Sequence, residues 1–110
     1  MSNVLQMPRK AVYSPTLAVQ LEEFTRELCY ELGTRPLPFI MREMRKFCFE
    51  DGVELGMMYL ALLATLKAPR PTWVYFKAII VRCIREGVTT EEQFSQRTLY
   101  HDRHRDIPEY

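Results

Sequence analysis

Proline and glycine cut this chain into pieces, and each piece between the cuts has the length of a helix. Gly33 leads into Thr34-Arg-Pro-Leu-Pro38, Asp51-Gly52 follows, then Ala68-Pro-Arg-Pro-Thr72, and then Gly87. Two prolines one residue apart disfavour helix in the residues before them. Glycine supplies the left-handed conformation in which helices commonly end. No segment alternates apolar and polar residues with β-branched enrichment, and no internal repeat is present. The expected fold class is therefore all-α, a compact bundle of about five helices with a loose N-terminal arm and a C-terminal tail.

The boundaries follow from the same marks. Residues 1–13 have no helical period and are expected to form the arm. Residues 14–94 are expected to be the helical domain, and residues 95–110 the tail. Ser14-Pro15 reads as an N-cap with proline in the first turn. Leu17, Leu21, Phe24 and Leu28 then lie on one face of a first helix ending at Gly33. A second helix should start near Pro38 and carry Ile40, Met44, Phe47 and Cys48 inward until Asp51-Gly52. A third, from about Glu54 to Leu66, has its clearest stripe at Met58, Leu62 and Leu66 and is apolar over most of its circumference, the pattern of a central helix. Thr72 can cap a fourth helix reaching about Glu86. Thr89-Thr-Glu-Glu92 fits a capping box that opens a short fifth.

A chain of 110 residues accommodates one core and is too short for two. No apolar run approaches the roughly 20 residues that cross a bilayer, so no membrane partner is expected. The N-terminus lacks a signal-peptide pattern, and a cytoplasmic location is expected. Cys29, Cys48 and Cys83 are odd in number, widely spaced and set in apolar helical context, which points to core packing rather than disulfides or metal. Met41, Met44, Met57 and Met58 read as gap fillers between the second and third helices, with a pliant partner-binding surface as the competing role. His101 and His104, beside Asp102 and Asp106, lie in the expected tail, without the rigid support a metal site requires. No glycine-rich phosphate loop, nucleophile elbow or zinc-protease motif occurs, so neither an enzyme nor a cofactor is expected.

Net charge is only +1, but its distribution is uneven. Residues 35–85 carry nine basic and four acidic groups, whereas residues 86–110 carry three basic and six acidic. On the fourth helix, projection at about 100° per residue puts Trp73, Phe76, Ile80 and Ile84 in a broad apolar sector. Tyr75, Ile79 and Cys83 run along one margin of it, with Arg82 and Arg85 on the adjoining polar face. An exposed ring can stack on any base, and guanidinium groups bind phosphates bidentately. The competing role for Tyr75 is bundle packing beside a solvated arginine face.

These elements, in this order, resemble the C-terminal domain of the DnaD family of bacterial and phage replication proteins. Members combine an RPLxP entry, a helix pair around a glycine, a YxxxIxxxW helix and a GIxT stop. The corresponding residues here are Arg35-Pro36-Leu37-Pro38, Asp51-Gly52, Ala61-Leu62, Tyr75-Phe-Lys-Ala-Ile79-Ile-Val-Arg-Cys83 and Gly87-Val-Thr-Thr90. The resemblance spans roughly Leu28 to Phe94. It implies an all-helical module of replication initiation that helps load the helicase, with Tyr75 and Ile79 at a surface for DNA, single strands included. Cys83 stands where the motif has tryptophan, removing a large stacking or packing surface. The length leaves no room for the winged-helix domain of many relatives, which implies an isolated module of the kind a phage or mobile element encodes.

The functional expectation is a primosome accessory protein binding single-stranded DNA without strong sequence readout. Lys67, Arg70, Lys77, Arg82 and Arg85 would contact phosphates, and Tyr75 would supply a stacking surface. A replicative helicase, a helicase loader or an initiator protein are the implied protein partners, and self-association is a further expectation. The alternative is a protein-interaction adaptor that has lost DNA affinity along with the motif tryptophan.

Overall fold

Residues 15–97 are described in the computed structural model. The expected arm at 1–13, the cap at Ser14 and the expected tail beyond residue 97, with its His101 and His104, lie outside the described residues. Helix α1 spans Pro15–Glu31 and α2 spans Pro38–Arg45. The latter runs straight into a π-helical turn, Lys46–Glu50, before α3, Leu55–Leu66, and α4, Trp73–Arg85. Residues 91–97 form α5. No strand occurs among the described residues, and the all-α expectation holds.

The helix ends are built by the residues that the punctuation singled out. Gly33 and Gly87 have φ of 71° and 77°, the left-handed region that carries little penalty without a Cβ. After α4, the Val88 N–H donates to the Cys83 carbonyl at 2.8 Å and the Gly87 N–H to the Ile84 carbonyl at 3.1 Å. This paired closure is a Schellman stop. Thr34 and Gly33 close α1 in the same way onto Cys29 and Tyr30, at 2.9 and 3.1 Å. At the other end of α4, the Tyr75 N–H donates to Thr72 Oγ1 at 3.1 Å, satisfying one of the amides that a helix start leaves open.

The capping box of α5 sits one residue later than the sequence suggested. The Gln93 N–H donates to Thr90 Oγ1 at 3.1 Å, while Gln93 Oε1 accepts from the Thr89 and Thr90 amides at 2.9 and 3.1 Å. Gln93 thus takes the reciprocal role expected of Glu92. The Glu92 position is exposed. The helix continues through residue 97, so the boundary expected at 94 moves outward and Arg97 belongs to the folded unit.

The core gathers Leu21, Leu28, Ile40, Met44, Phe47, Val53, Met57, Met58, Leu62, Phe76, Ile80 and Phe94. Full burial of one such side chain contributes about 1.5–3 kcal/mol. Met44, Met57 and Met58 are fully buried, as filler should be, whereas Met41 is half-buried and lines a surface pocket with Arg45 and Phe49. The cysteines are buried and free, and burial pushes each thiol above its ordinary value. Thr25 and Thr65 are the buried polar side chains, and each returns its hydroxyl to the carbonyl four residues back, Leu21 at 2.7 Å and Ala61 at 2.8 Å. Helix α3 packs against both α1 and α4, as a central helix should. It nevertheless leaves Tyr59 and Leu63 on the surface, and Thr65 rather than Leu66 completes its buried stripe.

The start of α3 is tied to the start of α5. The Glu54 N–H donates to the Thr89 carbonyl at 2.9 Å, and Glu54 Oε1 accepts from the Glu91 N–H at 2.8 Å. Gly56 completes this approach: a Cβ there would collide with the Glu91 carboxylate.

Candidate nucleic-acid interface

Helix α4 has no acidic residue, and its last turn carries Arg82 and Arg85. Phe76, Ile80 and Cys83 face the core with no exposed surface. The buried sector is thus centred closer to Cys83 than projection suggested, with Trp73 and Ile84 half-buried at its edge and Val74 exposed. That rotation sets what the opposite margin shows. Tyr75, Ile79 and Arg82 follow one another at i, i+4 and i+7 along the outer side. Tyr75 keeps 45% of its surface open, so it is not simply a packing residue.

Together with Ala78 and Arg97, these three line a shallow pocket of about 200 Å³. Ala78 stands three residues after Tyr75 and four before Arg82, and its methyl leaves the opening between ring and guanidinium. Arg97 arrives from α5. Its Nε donates to Glu86 Oε1 at 2.7 Å, so the guanidinium is held at the pocket edge. The hydrogen bond to Glu86 raises the Arg97 pKa above its ordinary value, against a smaller opposing effect of burial. The buried Cys83 thiol is raised chiefly by desolvation. The positive charges of Arg97 and Arg82 oppose that rise and the Glu86 carboxylate adds to it, so both guanidinium groups lie within electrostatic reach of the thiol.

The other expected contacts do not converge there. Arg85 is exposed and makes no ion pair among the described residues, but lies about 60° around the helix from Arg82. Lys77 lies across the helix, its Nζ 3.5 Å from Glu43 Oε1 on α2. Lys67 caps α3 and Arg70 lies in the following turn; both are exposed near the N-terminal end of α4. Arg82 and Arg85 also stand where cations offset the negative end of a helix dipole, a role that requires no ligand. The seven expected positions thus divide into a pocket trio of Tyr75, Ile79 and Arg82, a neighbour in Arg85, a distal pair in Lys67 and Arg70, and the ion-paired Lys77.

Arg97 falls in the expected tail, where with Arg103 and Arg105 it could touch phosphates although neighbouring acids cancel their charge; the structure places it in α5 instead. The Thr90-x-x-Gln93 box was the available signal, since a helix opened at Thr90 reaches 97 in its second turn. Among the described residues no group of His, Cys, Asp or Glu could hold a metal ion. None of their helices is long and apolar enough to cross a membrane. Comparison with protein-family models, curated proteins and solved structures finds no match to the chain.

Proposed function

We propose that this protein is a DNA-replication accessory factor that binds single-stranded DNA through the Tyr75–Arg82 face of α4, with little sequence readout. One observation carries the reading. An exposed tyrosine ring and an exposed arginine with no ion pair among the described residues line one pocket, with a second, oriented arginine at its edge. A ring offers a stacking surface indifferent to base identity, and guanidinium groups grip phosphate oxygens. The DnaD resemblance supplies the replication context, and with it a helicase, helicase loader or initiator as the protein partner.

The missing motif tryptophan weighs less against DNA binding than its size suggests. Cys83 is fully buried, so the substitution there concerns core volume. Stacking falls to Tyr75, which is present and open. The ground for an adaptor without DNA affinity is correspondingly weaker.

Fluorescence anisotropy with a labelled oligonucleotide at several salt concentrations tests the reading. Arg82→Ala with Arg85→Ala should flatten the salt dependence by about 1–2 units of slope, the loss of two phosphate contacts. Tyr75→Ala should weaken binding by about 1–3 kcal/mol with the slope kept, as loss of one stacked base requires. Absence of salt-sensitive binding by the unaltered protein, with capture of a replication protein in its place, would establish the adaptor instead.

A further inference from the structure

A second surface lies on the side of the bundle where α1 meets α3. Phe24, Tyr30, Tyr59, Leu62, Leu63 and Leu66 supply the apolar walls of an open groove of about 610 Å³. Tyr30 is 82% exposed and Tyr59 52%, so both aromatic residues keep more than half of their surface open. The rim on the α1 side is acidic. Glu27 and Glu31 line it, while Arg26, the one cation of that helix, is engaged by Glu22 at 2.8 Å. An apolar trough with a negative edge suits an extended segment that carries apolar side chains and positive charge.

We infer that the occupant is the chain's own N-terminal segment, residues 1–14, folded back along α1. That segment holds Val4, Leu5, Met7, Arg9 and Lys10 and not one acidic residue. Its reach fits. An extended chain advances about 3.3 Å per residue and a helix rises about 1.5 Å, so a strand reversing just before Pro15 passes roughly two helical residues for each of its own. Lys10 then comes level with Glu23 and Arg9 with the turn from Glu23 to Glu27, while Met7 comes level with Tyr30 and Leu5 with the end of α1. The apolar pair meets the tyrosines and the basic pair meets the acids. A second copy is the poorer occupant, because self-docking would bring another acidic rim to the first.

Methyl NMR on the full-length protein labelled at methionine methyls tests this, with Met7 assigned by a Met7→Leu variant. The expected result is nuclear Overhauser contacts from the Met7 methyl to the rings of Tyr30 and Tyr59, unchanged on dilution. Glu23→Lys with Glu27→Lys should abolish them while circular dichroism shows the helices intact. A Met7 methyl at its free-chain position without ring contacts overturns the inference. So do contacts that fade on dilution in step with dissociation of a dimer. DNA affinity does not enter this readout, so the two surfaces stand or fall separately.

Discussion

Arg97 and Glu86 join the last described helix to the end of α4, with Arg97 Nε donating to Glu86 Oε1 at 2.7 Å. The contact is long-range in sequence terms only by eleven positions, yet it decides whether the pocket beside Tyr75 has one guanidinium or two. Arg97 is 19% exposed and Glu86 46%, a partly screened pair. A double-mutant cycle with Arg97→Ala and Glu86→Ala should give a coupling of about 0.5–1 kcal/mol, measured by urea unfolding. Arg97→Ala should also reduce the salt slope of oligonucleotide binding by about 0.7 units, as one lost single-strand phosphate contact predicts. An undiminished slope would remove Arg97 from the interface.

Placing the tryptophan of the resembled motif at position 83 is a sharper experiment than removing anything. Cys83 is completely enclosed and packs beside Phe76 and Ile80 in the core. Cys83→Trp inserts an indole where a thiol fits, and overpacking of a filled core costs at least about 1–3 kcal/mol. The expected outcome is a lower melting temperature with no gain in DNA affinity. Tighter binding at unchanged stability would mean that position 83 reaches the surface.

Gly87 carries the stop of α4 at φ 77°, with open space where a Cβ would point. Gly87→Ala therefore meets no neighbour, and its cost is the backbone conformation alone, about 1–2 kcal/mol. Gly87→Asn should cost less, because asparagine tolerates the left-handed region. Thermal unfolding of the two variants side by side checks the order.

The thiols predict a pH dependence. Burial raises Cys29, Cys48 and Cys83 above their ordinary value, so the folded chain holds these protons at pH values where the unfolded chain releases them. Their contribution to stability is whole below the unfolded thiol value of about 8.5 and is lost as pH climbs through the folded values. The melting temperature should fall above that pH more steeply than in a triple Cys→Ala variant, whose cavity cost does not titrate. Ellman's reagent at pH 8 should leave all three cysteines untouched until denaturant is added.

The helices and their ends were legible because they are set by local chemistry. Gly33, Gly87, Thr72 and the Pro36/Pro38 pair each act on backbone within a few residues, and each sits where its chemistry placed it. Which flank of an apolar stripe turns inward was not legible. On α1 the buried set is Leu21, Thr25, Leu28 and Cys29 rather than the row through Leu17 and Phe24, and on α4 it shifts toward Cys83. A single helix projected alone offers two equivalent margins, and only the neighbouring helices choose between them. The same holds for Lys77, whose partner Glu43 lies on another helix. The π-helical turn at Lys46–Glu50, closed by the Asp51 N–H on the Lys46 carbonyl at 3.0 Å, left no sign in the spacing of apolar residues. Tyr75 and Arg82 line one pocket because i and i+7 share a side whatever the rotation.

The exchange of hydrogen bonds between Glu54 and the Thr89–Glu91 backbone makes the far edge of the pocket depend on a residue 37 positions upstream. Unravelling α5 strips two partners from Glu54, and loosening the first turn of α3 releases α5. Arg97 is therefore not an independent finger that can lift away while the rest stays closed. Amide exchange at Glu54 and Glu91 should report one shared opening, and a protein cut before residue 89 would lose a wall of its own cleft along with the latch that shuts its middle helix.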